Sequence, residues 1–186
     1  GSIVHYDGSG FERMESGTEL PLRNVDGFSG KDRVFVAGHT IQEPAGSIFL
    51  EIQNQTVNTL YTTDGLAPAA GNYGYVHSMT VLYPLVYLTT PSGLWQYYAM
   101  TGFSRVIAPS EGHVYGPVLV QDANDILIFW ADMGYVHFNG RTWYYQPEII
   151  PASDFIYYGA DWQDDLVVTG GYISDFSHGI VARGRR

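Results

Sequence analysis

GYVHFNGRTWYY, residues 134–145, has a close relative at the N-terminus in SIVHYDGSGFERM, residues 2–14. His137, Phe138, Asn139 and Gly140 fall on His5, Tyr6, Asp7 and Gly8, and Trp143 falls on Phe11. Both stretches read as strand, turn and strand. The alternation before the turn suits a half-buried strand, Asn-Gly or Asp-Gly supplies the positive φ angles of a tight turn, and the aromatic residue opens the next strand. A hairpin used twice points to a fold assembled from repeats.

Outward from that hairpin, a second pattern recurs: a turn carrying Asp, then a buried apolar run. It appears around Asp32 with the run 33–37, in QDANDILIFWADMG (121–134) and in DWQDDLVVTGG (161–171). The anchors Asp125 and Asp165 lie 40 residues apart, and the gap between Asp32 and Asp125 holds a divergent unit, VLYPLVYLTTPSGLWQYYAM (81–100), with Pro84 at its turn. A period of about 40 to 50 residues with four strand signals per unit is the signature of β-propeller blades. The expected architecture is all-β: a single domain over 1–186, with four-stranded antiparallel blades and blade pieces near 1–21, 22–74, 75–112, 113–153 and 154–186. The chain starts and stops inside a blade. It is therefore either a ring of about four blades, with residues 11–14 supplying the outer strand of the last one, or an arc of a larger propeller. A β-sandwich uses similar strands but has no reason to repeat turn, buried run and hairpin in fixed order. No helix is expected, and residues 65–74, with Pro68, read as a loop.

Composition agrees. Twenty-two glycines, 15 tyrosines and 9 phenylalanines with only 15% charged residues suit short strands joined by tight turns. Lys31 is the sole lysine and the formal net charge is −10, which repels a phosphate backbone and argues against nucleic acid as a partner. The one basic cluster, Arg183, Arg185 and Arg186, reads as a solvated tail. No cysteine is present, so disulfides and thiolate metal sites are excluded. No apolar run reaches the roughly 18 residues of a membrane span.

Residues 2–38 and 123–145 resemble a secreted bacterial β-propeller repeat, whose pattern runs from a strand ending HYDG, through a Ser-Gly-Thr turn, to a strand of the type Asn-Asp-Val-Phe-Ala-Val-Gly. The matching pieces are HYDG (5–8), SGT (16–18), KDRVFVAG (31–38), ANDILIFWADMG (123–134) and GYVHFNGRTWYY, while DDLVVTGG (164–171) keeps the pattern loosely. Such repeats are similar to those of sialidase-like and photosystem-assembly propellers. The resemblance implies a rigid binding scaffold, secreted or displayed at the cell surface. It implies no reaction.

Candidate chemistry is sparse. Asp26 and Asp32, Asp122 and Asp125, and Asp161, Asp164 and Asp165 cluster in the turns before the buried runs, and their hard oxygens suit Ca²⁺; Asp equally closes such turns with its own hydrogen bonds. The histidines His5, His39, His77, His113, His137 and His178 show no zincin spacing. Neither a nucleophile elbow nor an arginine cluster for a sialidase is visible. Trp95, Tyr97, Trp130 and Trp162 are the candidate ligand-binding residues, since flat aromatic faces suit sugar rings and protein hot spots, and they also pack blades together. The expected function is a non-enzymatic module that binds protein or carbohydrate or assembles with copies of itself, without a cofactor unless Ca²⁺ is taken. The alternative is a carbohydrate-active enzyme, a glycosidase or lyase, using channel-facing carboxylates.

Overall fold

The computed structural model describes residues 1–28, 30–40, 46–63, 75–107, 115–130, 134–146, 155–173 and 178–185. The expected loop 65–74 lies outside them. Within the described residues seventeen strands form five antiparallel sheets, and no helix occurs. Strands β1 (Ser2–Tyr6) and β2 (Phe11–Glu15) form a hairpin of their own. A four-stranded sheet follows from β3 (Leu22–Gly27), β4 (Arg33–Thr40), β5 (Gly46–Gln53) and β6 (Thr56–Thr63). The next two sheets repeat that layout: β7 (Ser78–Leu82), β8 (Leu85–Thr90), β9 (Gly93–Tyr98) and β10 (Gly102–Ile107), then β11 (Tyr115–Asp122), β12 (Asp125–Trp130), β13 (Gly134–Phe138) and β14 (Trp143–Gln146). The last sheet has three strands, β15 (Phe155–Gln163), β16 (Leu166–Ile173) and β17 (Gly179–Arg185). Within each sheet, neighbouring strands are consecutive in sequence. The fold class is all-β, of four-bladed β-propeller type, built mainly from four-stranded antiparallel sheets.

The repeated hairpin is confirmed and its turn corrected. Phe138 faces Trp143 with ring centroids 4.9 Å apart, and Tyr6 faces Phe11 at the same 4.9 Å. Only the glycines take positive φ, +98° at Gly8 and +85° at Gly140, so these are four-residue loops and not two-residue turns. The preceding Asp or Asn explains the difference. Asp7 Oδ1 accepts from the N–H groups of Ser9 and Gly10 at 2.7 and 2.9 Å, and Asn139 Oδ1 accepts from those of Arg141 and Thr142 at 3.1 Å each. A short side chain thereby replaces the backbone bonds that a tighter turn would make.

The backbone groups into two compact units, Gly1–Val76 and His77–Arg186. In the first, β4 and β5 turn Val36, Ile48 and Leu50 to one face, where Ile3 and Leu20 pack on them. Their alternate residues Phe35 and Phe49 stack on the opposite face at 5.7 Å. Gly38 is required by close approach. A Cβ there would lie 2.5 Å from the carbonyl oxygen of Pro21, the same oxygen that accepts the His39 N–H at 3.1 Å.

In the second unit β12 is buried on both sides. Ile126 and Ile128 join Val118, Val120, Tyr87 and Leu94 in one core, while Leu127 and Phe129 join Leu119 and Tyr157 in another. That is why ILIF, residues 126–129, is continuously apolar and not alternating. The second and third blades are also joined by polar contacts: Thr80 Oγ1 donates to the Val118 carbonyl at 2.6 Å and Thr89 Oγ1 to that of Gly116 at 2.7 Å.

Within the first unit β2 pairs with β1, and within the second β17 pairs with β16.

These packing arguments predict that Leu50→Ala, which empties a fully buried site, costs about 2–5 kcal/mol, and that Gly38→Ala costs about 1–3 kcal/mol. Gly10→Ala, with nothing near the new Cβ, serves as the control and stays within about 0.5 kcal/mol of wild type. Urea denaturation of the three variants measures all of this.

Candidate functional site

The residues singled out from sequence divide by what their side chains touch. Trp95 on β9 is 8% exposed; its indole N–H donates to Ser92 Oγ at 2.9 Å, and the guanidinium of Arg105, its cross-strand partner, lies 6.0 Å from its ring. Tyr97, also 8% exposed, meets the Phe103 ring at 4.9 Å. Trp162 on β15 is half-buried and packs with Val167 and Ile180 on the core around Phe129. The backbone of Trp130 ends β12, and its side chain lies outside the described residues. Three of the four aromatic candidates are thus engaged in packing within the second unit.

Four of the carboxylates accept backbone N–H groups. Asp26 Oδ1 accepts the Gly27 N–H at 2.8 Å, Asp32 Oδ2 that of Asn54 at 3.1 Å, Asp122 Oδ1 that of Asn124 at 2.6 Å and Asp161 Oδ1 that of Trp162 at 2.8 Å. Asp165 sits in the two-residue turn before β16, beside Asp164 with φ of +55°. Among the described residues no three His, Asp or Glu side chains gather as a metal site would require.

Asp125 does something different, because its Oδ1 lies 3.0 Å from His137 Nε2. Asp125 opens the second strand of its blade and His137 sits on the third. Arg33 opens β4 and pairs with Glu51 on β5, so the first blade holds an ion pair at the place where the third holds the Asp125–His137 contact. The Arg33 guanidinium also lies 5.3 Å from the Phe35 ring. This pair escaped the sequence reading, since Arg33 and Glu51 differ in type from Asp125 and His137; only their shared place in the repeat connects them.

Of the remaining histidines, His5 is half-buried on β1, His77 precedes β7, His178 precedes β17, and His113 lies outside the described residues. His39 faces Ser47 across β4 and β5. Burial, followed by the nearby Arg23, holds the His39 pKa below the usual imidazole value.

Two features face solvent in the first unit. Between the hairpin and β3–β4 runs a groove of about 430 Å³, floored by Leu22, Val25, Val34 and Val36 and flanked by His5, Arg23 and Asp32. The hairpin itself exposes Val4, Tyr6 and, at 80%, Phe11. In the second unit Val181 on β17 is 77% exposed, along the last sheet's open edge.

No protein-family model and no curated protein sequence matches the chain. Among solved structures it is similar to the computationally designed Ika4 protein, at 15% identity and a TM-score of 0.59, over 91% of this chain and 93% of that one. A catalytically inactive variant of virginiamycin B lyase from Staphylococcus aureus, with quinupristin, aligns at 10% identity and a TM-score of 0.48, over 100% of this chain and 73% of that one. The Ika4 likeness concerns the fold alone.

Two outcomes test the polar assignments. Arg33→Ala strands a buried carboxylate and is expected to cost about 3–5 kcal/mol in denaturant unfolding. Hydrogen bonds from the Ser9 backbone, the Ser9 hydroxyl and the Gly10 backbone hold the Asp7 pKa at about 2, below the ordinary aspartate value of 3.8. The depressed value means that the turn gains stability above pH 3.8 and loses it as pH falls through about 2. NMR titration of the Asp7 carboxyl should show a midpoint near 2; a midpoint near 4 is the outcome that removes this account.

Proposed function

We propose that this protein is a non-enzymatic β-propeller scaffold, secreted or held at the cell surface, that associates with proteins through its open strand edges. The observation that carries the reading is the pair of unfinished sheets: β2 and β17 each have one unpaired edge among the described residues, and beside those edges Phe11 and Val181 are 80% and 77% exposed. An unpaired edge offers a row of backbone donors and acceptors, and β-strand addition uses such a row for affinity and alternate side chains for specificity. Charge limits the partner, because a net charge of −10 disfavours nucleic acid.

Carbohydrate is the less favoured ligand. Trp95 and Tyr97 spend their faces on Arg105 and Phe103, which leaves little flat aromatic surface for a sugar. Catalysis is disfavoured because the turn carboxylates are committed to backbone N–H groups.

Peptides selected by display on the wild-type protein are expected to be extended and rich in β-branched residues, and to bind Val181→Pro at least about tenfold more weakly, with circular dichroism showing that this variant stays folded. Equal binding to both proteins overturns the edge reading. In a panel of polysaccharides the expected result is no turnover; turnover that vanishes in Asp26→Asn or Asp161→Asn would instead establish an enzyme.

A further inference from the structure

We propose that the groove beside β1 binds an extended segment of another protein, added antiparallel to β1 as a strand. The segment carries an acidic residue, with large apolar residues two and four positions after it. This site goes beyond the edges invoked above, because it lies on the side of the hairpin away from β2 and is built within the first unit alone.

The groove follows a strand edge. All five residues of β1 line it, and of β2 only Met14 reaches it. It therefore runs along the side of β1 that faces away from β2, the one strand β1 pairs with among the described residues. That side carries backbone groups. At the head of the hairpin the Asp7 N–H donates to the Gly10 carbonyl at 3.2 Å, and from there bonded and non-bonded pairs alternate along an antiparallel ladder. The N–H and C=O groups of Tyr6 and Val4 accordingly point away from β2.

The third blade shows what fits such an edge. Its β13 is the counterpart of β1, with His137 at the place of His5, Phe138 at that of Tyr6 and Tyr135 at that of Ile3. β13 has β14 on one side, as β1 has β2, and β12 on the other. Leu127 faces His137 and Phe129 faces Tyr135, and these apolar residues share one core. Asp125, two residues before Leu127 and so on the same face, meets His137 Nε2 at 3.0 Å.

The first unit holds the receiving half of that arrangement. Ile3 packs on Val36, Ile48 and Leu50, so the face of β1 that carries Ile3 and His5 is the one turned toward the sheet β3–β6. A strand laid on β1 in the β12 register places one apolar side chain opposite His5 and another opposite Ile3, above the groove floor. That floor has apolar surface left to bury, since Val25 is 71% exposed and Val34 half-buried. Charge complements the same register. An acid two residues before the first apolar side chain comes to His5 as Asp125 comes to His137, while Asp32 at the rim is occupied with the Asn54 N–H at 3.1 Å. The places in between lie on the face of Val4 and Tyr6, both exposed, and accept polar β-branched residues. Backbone pairing along the whole of β1 selects a polypeptide over a sugar or a nucleotide.

The labelled peptide KDTLTFK puts acid, leucine and phenylalanine at alternate positions, and KDLTFTK has the same composition with the apolar pair moved by one. Fluorescence anisotropy should show saturable binding of KDTLTFK and at least about tenfold weaker binding of KDLTFTK. Val4→Pro removes an N–H that β2 does not use, and Val25→Asp places a charge in the floor; each should weaken KDTLTFK about tenfold while circular dichroism stays that of the folded protein. In His5→Ala, KDTLTFK and KSTLTFK should bind equally. On wild type itself, KDTLTFK should shift the amide NMR resonances of Val4, Tyr6 and Val25. No saturable binding, equal binding of the two peptides of like composition, undiminished binding to Val4→Pro, or NMR shifts confined to other residues overturns the proposal. A wild type that ignores KDTLTFK, but whose display-selected peptides are lost in Val181→Pro, defeats this inference alone and leaves the scaffold reading standing.

Discussion

Burial of alternate residues of one strand in two different cores is the constraint on which the second unit depends. Ile126 and Ile128 go one way, Leu127 and Phe129 the other, so neither side of β12 is free to carry a polar residue. Burying large apolar side chains at about 1.5–3 kcal/mol each is the main favourable term available to a chain without disulfides. It also pins the register: a one-residue slip of β12 would exchange the two sets and mismatch both cores at once.

Polar residues are admitted at the ends of such strands, and they are paired. Asp125 with His137 and Arg33 with Glu51 occupy the same place in two blades. What is preserved is a partnered charge beside the turn, since a buried charge without a partner is costly whichever sign it has. The same economy governs the loops, where Asp7 and Asn139 accept two backbone N–H groups apiece. Asp26, Asp122 and Asp161 likewise accept a neighbouring backbone N–H.

With the polar groups committed and Trp95 and Tyr97 packed, the surface feature that stands out is backbone. Sheets that end without a fourth strand leave hydrogen-bonding groups and apolar side chains exposed together, as at β17 and Val181. Proteins commonly shield such edges with charge or with another strand. Here the edge strand β17 carries Arg183, a charge of the kind that discourages random pairing.

By itself the sequence determined the all-β class, the repeat and most strand positions, because these follow from local chemistry: period-two alternation, Asp or Asn before Gly, and apolar runs such as DILIFW. It also identified 2–14 and 134–145 as the same hairpin, which the matched 4.9 Å aromatic pairs bear out. Three things were decided only by tertiary structure. The loops have four residues because Asp7 and Asn139 bond forward to backbone, a choice that depends on hydrogen-bond geometry. Trp95 and Tyr97 are packing residues because Arg105 and Phe103 lie opposite them, and cross-strand register is not written in composition. The last sheet's order, β15-β16-β17, rests on strand pairing, which is non-local and is not written in any one strand's sequence.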